Sequence, residues 1–186
     1  MKIIIWSIVV VLALIVIIGA TIAFGGFYDI SAMHEEGKMR AWLFSTVMDN
    51  SVERHARGIE IPALGDSAQV AEGFEHFNEM CVTCHGAPGV QKSETGEGLN
   101  PKAPDLAKAA LDWNDAELFW IIKNGVRMTG MPAFGPTHGD DKIWAIVAFV
   151  RKTEKMTPAE YQHFVRTYGG EMPMMESEEE GDHGDH

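Results

Sequence analysis

Cysteine and basic residues are scarce in this chain of 186 residues. Its two cysteines stand three positions apart, so the chain has no disulfide framework of the kind that holds small secreted domains together. Lys and Arg number 15 against 27 Asp and Glu, which gives a formal net charge of −12. Because a strongly acidic chain repels phosphate backbones, we expect no nucleic acid partner.

Charge is absent from residues 3–24, which read IIIWSIVVVLALIVIIGATIAF. As a helix this run is roughly 33 Å long, which matches a hydrocarbon core of about 30 Å. A cleavable signal peptide is the alternative, but its apolar core is typically about 7–15 residues and ends at a small-x-small cleavage site. The longer run, with no such site, predicts a single transmembrane anchor over residues 1–27.

The side of the membrane follows from the flanking charges. Lys2 precedes the apolar run, and acidic residues such as Asp29 soon follow it. The positive-inside bias then places the N-terminus in the cytoplasm. We predict a single-pass protein of a bacterial inner membrane, with the rest of the chain on the periplasmic or extracytoplasmic side.

The chain after the anchor lacks internal repeats and extended strand-type alternation, which indicates an all-α fold. Residues 28–66 form a linker with one amphipathic helix, which could lie on the membrane surface, on the globular domain or on a partner subunit. Its apolar positions recur at helical spacing: Met39, Trp42, Leu43, Val47, Met48 and Val52.

Three further segments complete the predicted organisation. Residues 67–156 form the globular domain. Residues 157–170 form a short C-terminal helix, because TPAE at their start places an N-cap threonine, a proline and a glutamate at their preferred positions. Residues 171–186 contain seven acidic residues and no Lys or Arg, which is typical of a disordered tail; His183 and His186 could capture metal weakly there.

The pentapeptide CVTCH at residues 81–85 is the attachment signature for c-type haem. Cys81 and Cys84 can each add to one vinyl group of the porphyrin, and His85 is then brought beneath the iron as a proximal ligand. A zinc site would need a second cysteine pair, and a thioredoxin-like redox pair would need a βαβ setting. We therefore predict one covalently bound haem c.

A second axial ligand should come from a loop further along the chain. Methionine is suited to this role because its soft thioether favours reduced iron and raises the reduction potential. Met131 stands between a glycine and a proline in TGMPAFG, where the backbone path is tight and its exit stiff. Met128 is the alternative, and His138 is interpreted as a loop residue.

CVTCHGAPG followed by GVRMTGMPAFG, with a helix before the first motif and another after the second, resembles a class I cytochrome c. The resemblance covers about residues 67–153 and implies His85 and Met131 as the axial ligands. It also implies that Gly73 lets the first helix of the domain cross closely against the last. Residues implied at the haem are Pro104, whose carbonyl would accept the proximal imidazole N–H, and the pocket residues Leu106, Trp120, Ile121 and Phe134.

These observations predict an electron carrier that catalyses no reaction of its own. A haem iron with two protein ligands has no open position for a substrate. A tethered carrier suits transfer from a quinol-oxidising complex to a terminal oxidase, or residence in one of them as a subunit. The alternatives are an enzyme or gas sensor with five-coordinate haem, and an assembly subunit in which the haem is secondary.

Overall fold

The structure is a computed structural model that describes residues 2–34 and 37–169. The predicted disordered tail over residues 171–186 lies outside the described residues. Within the described ranges there is no strand, so the all-α prediction is confirmed. These ranges correspond to two compact units, the first ending at His34.

The first unit is dominated by helix α1, Lys2–Phe24. None of its residues is buried in the protein. It is long and apolar enough to cross a membrane, a test that a signal sequence near the N-terminus would also pass. The helix therefore agrees in length and composition with the predicted anchor.

The second unit contains the remaining helices. Their bounds are α2 Lys38–Ala56, α3 Ser67–His76 continued by a π-helical turn Phe77–Cys81, α4 Val82–His85, α5 Glu94–Glu97, α6 Leu106–Ala109 continued by a 3₁₀ turn Ala110–Asp112, α7 Asp115–Asn124, α8 Asp140–Thr153 and α9 Pro158–Tyr168.

Helix α2 is the amphipathic helix predicted in the linker, and its two halves differ. Val52 and Ala56, in the second half, are buried, and α2 packs against α7. Apolar side chains of the first half, including Trp42 and Leu43, are exposed. The sequence left open whether α2 lies on the membrane, on the globular domain or on a partner subunit. Its second half lies on the globular domain.

The core of the second unit is the crossing of α3 and α8. A Cβ added at Gly73 would collide with the Ala145 carbonyl and lie 3.0 Å from Cβ of Phe149. Only glycine permits this approach, which brings Phe74 and Phe77 against α8. The resemblance predicted this crossing, and the structure places it at Ala145 and Phe149.

Helix α9 belongs to the same core. Thr157 and Glu160 form the capping box expected from the sequence, and the buried Tyr161 packs edge-on to Phe74. The Tyr161 hydroxyl donates to Oδ1 of Asn78 at 2.9 Å. The C-terminal helix thus covers the segment that leads into CVTCH.

Candidate haem site

A cavity of about 360 Å³ opens between the CVTCH segment and the loop that follows α7. Most of its lining is apolar and comes from α6, α7 and α8, from Leu99 and residues 101–104, and from Met48 and Met80. Predicted site residues on its wall are Cys81, Cys84, His85, Pro104, Leu106, Ile121, Met131 and Phe134. The predicted site has a proximal half around His85 and a distal half around Met131. These two residues are 46 positions apart in the sequence, and the structure brings them to one cavity.

His85 is oriented by a backbone carbonyl. Its Nδ1 lies 2.8 Å from the Pro104 oxygen; because a carbonyl can only accept, Nδ1 carries the hydrogen and Nε2 keeps its lone pair. Burial lowers the pKa of His85, the Pro104 bond partly opposes this, and nearby Lys92 lowers it further. The imidazole is therefore held in the neutral form that ligates a metal.

The two thiols are free cysteines on the cavity wall. Burial, with a smaller contribution from Cys84, raises the pKa of Cys81 to about 12. Such a position disfavours a thiolate and suits an uncharged sulfur. A thioether, which has no charge at any pH, fits this environment.

The backbone around the CVTCH segment is tightly packed. Nζ of Lys92 donates to the Ala103 carbonyl at 2.5 Å, next to the peptide that orients His85. A Cβ added at the buried Gly96 would lie 2.6 Å from the Thr83 oxygen. The first contact holds the backbone beside Pro104, and the second packs the backbone of the CVTCH segment closely.

On the loop after α7, the structure separates the two candidate methionines. Met131 lines the cavity, and its N–H donates to Oγ1 of Thr129 at 3.1 Å. Its carbonyl accepts from the Val126 N–H at 3.2 Å. Met128 has φ 63° and is 81% exposed. Of these two candidates, only Met131 is placed to reach a group in the cavity.

Trp120 requires a correction, because it is not among the residues that line the cavity. Its ring stacks on His55 of α2, with centroids 5.3 Å apart. Leu118, Ile121 and Ile122 recur at helical spacing on α7 and face the cavity, and Trp120 lies off that stripe. The periodicity of α7 was the signal that could have corrected this prediction.

Sequence reasoning also missed Trp113, which lines the cavity. Arg151 of α8 holds this part of the wall, because its guanidinium donates to the carbonyls of Ala110 and Trp113. Nε of Arg151 also pairs with Oδ1 of Asp115 at 2.6 Å. No local pattern links these positions, so the sequence carried no signal for the contact.

The donors on the cavity wall fit a haem better than a bare metal ion. One imidazole, two thiols and the thioethers of Met48, Met80 and Met131 lie among mostly apolar side chains. Across the described ranges no group of three or more His, Cys, Asp or Glu side chains could hold an ion. A flat apolar macrocycle that carries its own four nitrogen ligands needs only two axial donors, and His85 and Met131 on this wall could supply them.

Comparison with known proteins agrees with this geometry. Residues 68–150 match the family described as cytochrome c oxidase, cbb3-type, subunit III. No curated protein matches the chain. The matched segment begins in α3, ends in α8 and includes CVTCH and Met131. Residues 68–150 are therefore a haem-binding electron-transfer domain of the class I cytochrome c type, as found in subunit III of cbb3-type cytochrome c oxidase.

Proposed function

We propose that the chain is a membrane-tethered, single-haem electron-transfer protein that passes electrons between respiratory complexes. The observation that carries this proposal is the placement of His85 and Met131 on one apolar cavity. Two axial donors occupy both free positions of a haem iron, which leaves none for a substrate. The bound haem supplies a reversible one-electron couple.

The residues of the chain have separate tasks in this function. Cys81 and Cys84 would hold the porphyrin covalently, and His85 would bind the iron through Nε2 in the tautomer that Pro104 selects. Met131 supplies a soft donor that favours the reduced state. The apolar lining excludes water, which keeps the reorganisation accompanying electron transfer small.

The tether determines where the protein works. If α1 is retained in the membrane, the haem domain meets other membrane proteins at a raised effective concentration. The bias of charge around α1 supports a periplasmic or extracytoplasmic haem domain. The net charge of −12 favours a partner with a basic docking face, and association should slow as salt is added.

The electron donor and acceptor can be separate complexes or parts of one assembly. Transfer from a quinol-oxidising complex to a terminal oxidase fits a tethered carrier. The family match favours the second arrangement, in which the chain is a haem subunit of an oxidase. Extraction in mild detergent separates the two: a carrier leaves the membrane alone, whereas a subunit co-purifies with fixed partners.

The covalent haem is tested by the mass of the full chain after denaturation and extraction with acid and organic solvent. We expect a mass equal to the chain plus one haem, and colour that stays with the protein. The double variant Cys81→Ala, Cys84→Ala should lose both. A mass equal to the bare chain in the wild type would refute the proposal.

The rival function, a gas sensor or enzyme with an open iron position, is tested on the same preparation. Rapid binding of carbon monoxide to the reduced wild-type protein would favour it. We expect slow or no binding, because Met131 occupies the sixth position. Met131→Ala should then bind carbon monoxide rapidly, which provides a positive control for the assay.

A further inference from the structure

One wall of the haem cavity comes from outside the segment that matches the family. Met48 lies on α2 and lines the cavity, whereas the family match begins at residue 68. Its side chain is half-buried. Among the described residues, the hydrophobic core and the side chains packed against it do not include Met48. Packing of the core therefore does not account for the position of this methionine, and the cavity does.

The second half of α2 is held beside the cavity by its contacts with α7. Met48, Val52 and Ala56 are four positions apart, so they share one face of the helix. Val52 and Ala56 are buried, and α2 packs against α7. The ring of His55 also stacks on Trp120 of α7, with centroids 5.3 Å apart. Because α7 lines the cavity as well, this packing keeps Met48 at the cavity wall.

A second cleft, lined mainly by polar and acidic side chains, borders the same wall. Its lining residues are Asp49, Asn50, Glu53, Asp112, Trp113 and Glu117. Three of the four carboxylates are exposed. Trp113 also lines the haem cavity, and α2 contributes side chains to both spaces. Helix α2 and Trp113 therefore stand between the apolar cavity and a polar, solvated cleft.

We propose that Met48 shields the haem from solvent at this wall and thereby raises its reduction potential, so that α2 is a functional part of the haem domain. The inference rests on the proposed function, because it requires a haem in the cavity. Ferric haem carries one more positive charge than ferrous haem, and apolar surroundings disfavour the more highly charged state. The hydrophobic shell of a metal site controls solvent access and, through it, the redox potential. Met48 acts here without bonding to the iron.

A redox titration of the full, haem-loaded chain tests this role. Met48→Ala removes most of the side chain and opens the cavity to water from the cleft. We expect the ratio of ferric to ferrous protein at a fixed ambient potential to rise about threefold, which corresponds to a fall in potential of about 30 mV for one electron. Met39→Ala is the matched control, because Met39 is on the same helix but 78% exposed; it should titrate like the wild type.

Two further substitutions of Met48 separate its apolar character from its sulfur and from its volume. Met48→Leu keeps an apolar side chain of similar volume and should retain the wild-type potential. Met48→Gln keeps the length of the side chain but places a polar amide at the wall, and it should lower the potential as Met48→Ala does. Because glutamine fills nearly the same space as methionine, this variant answers the question even if the alanine variant fails to fold.

Three results would overturn the shielding role of Met48. They are a wild-type potential in Met48→Gln, a fall in Met48→Leu as large as that in Met48→Gln, and an equal fall in Met39→Ala. The mass of the denatured chain and the absorption band of methionine-bound ferric iron are recorded for every variant. A wild type that lacks the haem mass or this band contradicts the proposed function, whereas a normal mass and band with an unchanged potential in Met48→Gln contradict only the role of Met48.

Discussion

The two proposed axial donors, His85 and Met131, are held in different ways. On the proximal side, His85 is fixed by the Pro104 carbonyl, and the surrounding backbone is packed so closely that the buried Gly96 has no room for a Cβ. On the distal side, Met131 sits on a loop held by hydrogen bonds among its own residues. Gly130 beside it is exposed.

This difference shows that neighbouring residues in the sequence specify the proximal side of the site, whereas the distal side depends on a distant loop. His85 comes directly after Cys84 in the chain, so haem attachment and proximal ligation would be specified together. The distal sulfur depends on the path of a loop far along the sequence. We therefore expect substitutions to affect mainly stability on the proximal side and mainly the spectrum and the reduction potential on the distal side.

The largest effect is expected on the distal side. Met131→Ala should abolish the weak absorption band that methionine sulfur gives with ferric iron, and should lower the reduction potential by an amount on the order of 0.1 V, because a thioether favours ferrous iron. Absorption spectra and a redox titration measure both. Met128→Ala is the control, since Met128 is exposed; equal losses in the two variants would contradict the assignment.

Substitution of two glycines, Gly96 on the proximal side and Gly130 on the distal side, tests how rigid each side of the site is. A Cβ at Gly96 would lie 2.6 Å from the Thr83 backbone oxygen, and one at Gly130 would lie 2.5 Å from Cδ2 of Leu99. A backbone atom cannot move aside, whereas the end of a leucine side chain can. Gly96→Ala should therefore cost about 1–3 kcal/mol of unfolding free energy, and Gly130→Ala less than about 1 kcal/mol.

Denaturant unfolding of the haem-loaded chain measures these glycine variants. Equal destabilisation by the two substitutions would show that the distal loop is packed as rigidly as the proximal side, and the comparison would fail.

Short-range signals in the sequence were sufficient for much of the fold. The start of α9 follows from capping residues three positions apart, and its predicted capping box is present. The α3–α8 crossing and the Pro104 bond were implied by resemblance to a family, because no local pattern specifies a contact between distant segments. His85 and Pro104 are separated by 19 positions.

The contacts that sequence reasoning missed are long-range pairs of this kind. Arg151 reaches the Ala110 carbonyl across 41 positions, and nothing in the neighbourhood of either residue indicates it. The resemblance to class I cytochromes c implied Trp120 at the cavity, yet its position on α7 turns it toward His55. The prediction for Trp120 was wrong because its side chain points to a different face of α7 from the one that lines the cavity.

Tyr161 tests whether α9 supports the proximal side. Tyr161→Phe removes the hydrogen bond to Asn78 and should cost about 1 kcal/mol of unfolding free energy at neutral pH. Burial is the main cause that raises the pKa of Tyr161 to about 12; the smaller contribution from the charge of Cys81 would be absent once its sulfur is a thioether. Because the pKa of an unfolded tyrosine is about 10, the wild type should lose stability as pH rises from about 10 to 12.

The phenylalanine variant should lack the part of this alkaline loss that comes from Tyr161. Denaturant titrations of the haem-loaded chain between neutral and alkaline pH measure it. Tyr168→Phe is the control, because Tyr168 is partly exposed. Parallel pH profiles for the wild type and Tyr161→Phe would contradict the prediction.

The smallest effect is expected from Lys92, where the proximal side should influence the potential without changing a ligand. Its ammonium donates to the Ala103 carbonyl at 2.5 Å, one residue from the carbonyl that holds His85. Ferric haem carries one more positive charge than ferrous haem, so a nearby cation favours the reduced state. Lys92→Met should lower the potential by an amount on the order of a few tens of millivolts, because the partly exposed ammonium is screened.

Two controls separate the charge of Lys92 from its packing. Lys92→Arg keeps the cation and should retain most of the potential. Lys108→Met removes a cation whose side chain is 85% exposed and should leave the potential nearly unchanged, because solvent screens exposed charges. Equal lowering of the potential by Lys92→Met and Lys92→Arg would contradict this prediction. It would show that Lys92 acts on the potential through the geometry of the 103–104 peptide and not through its positive charge.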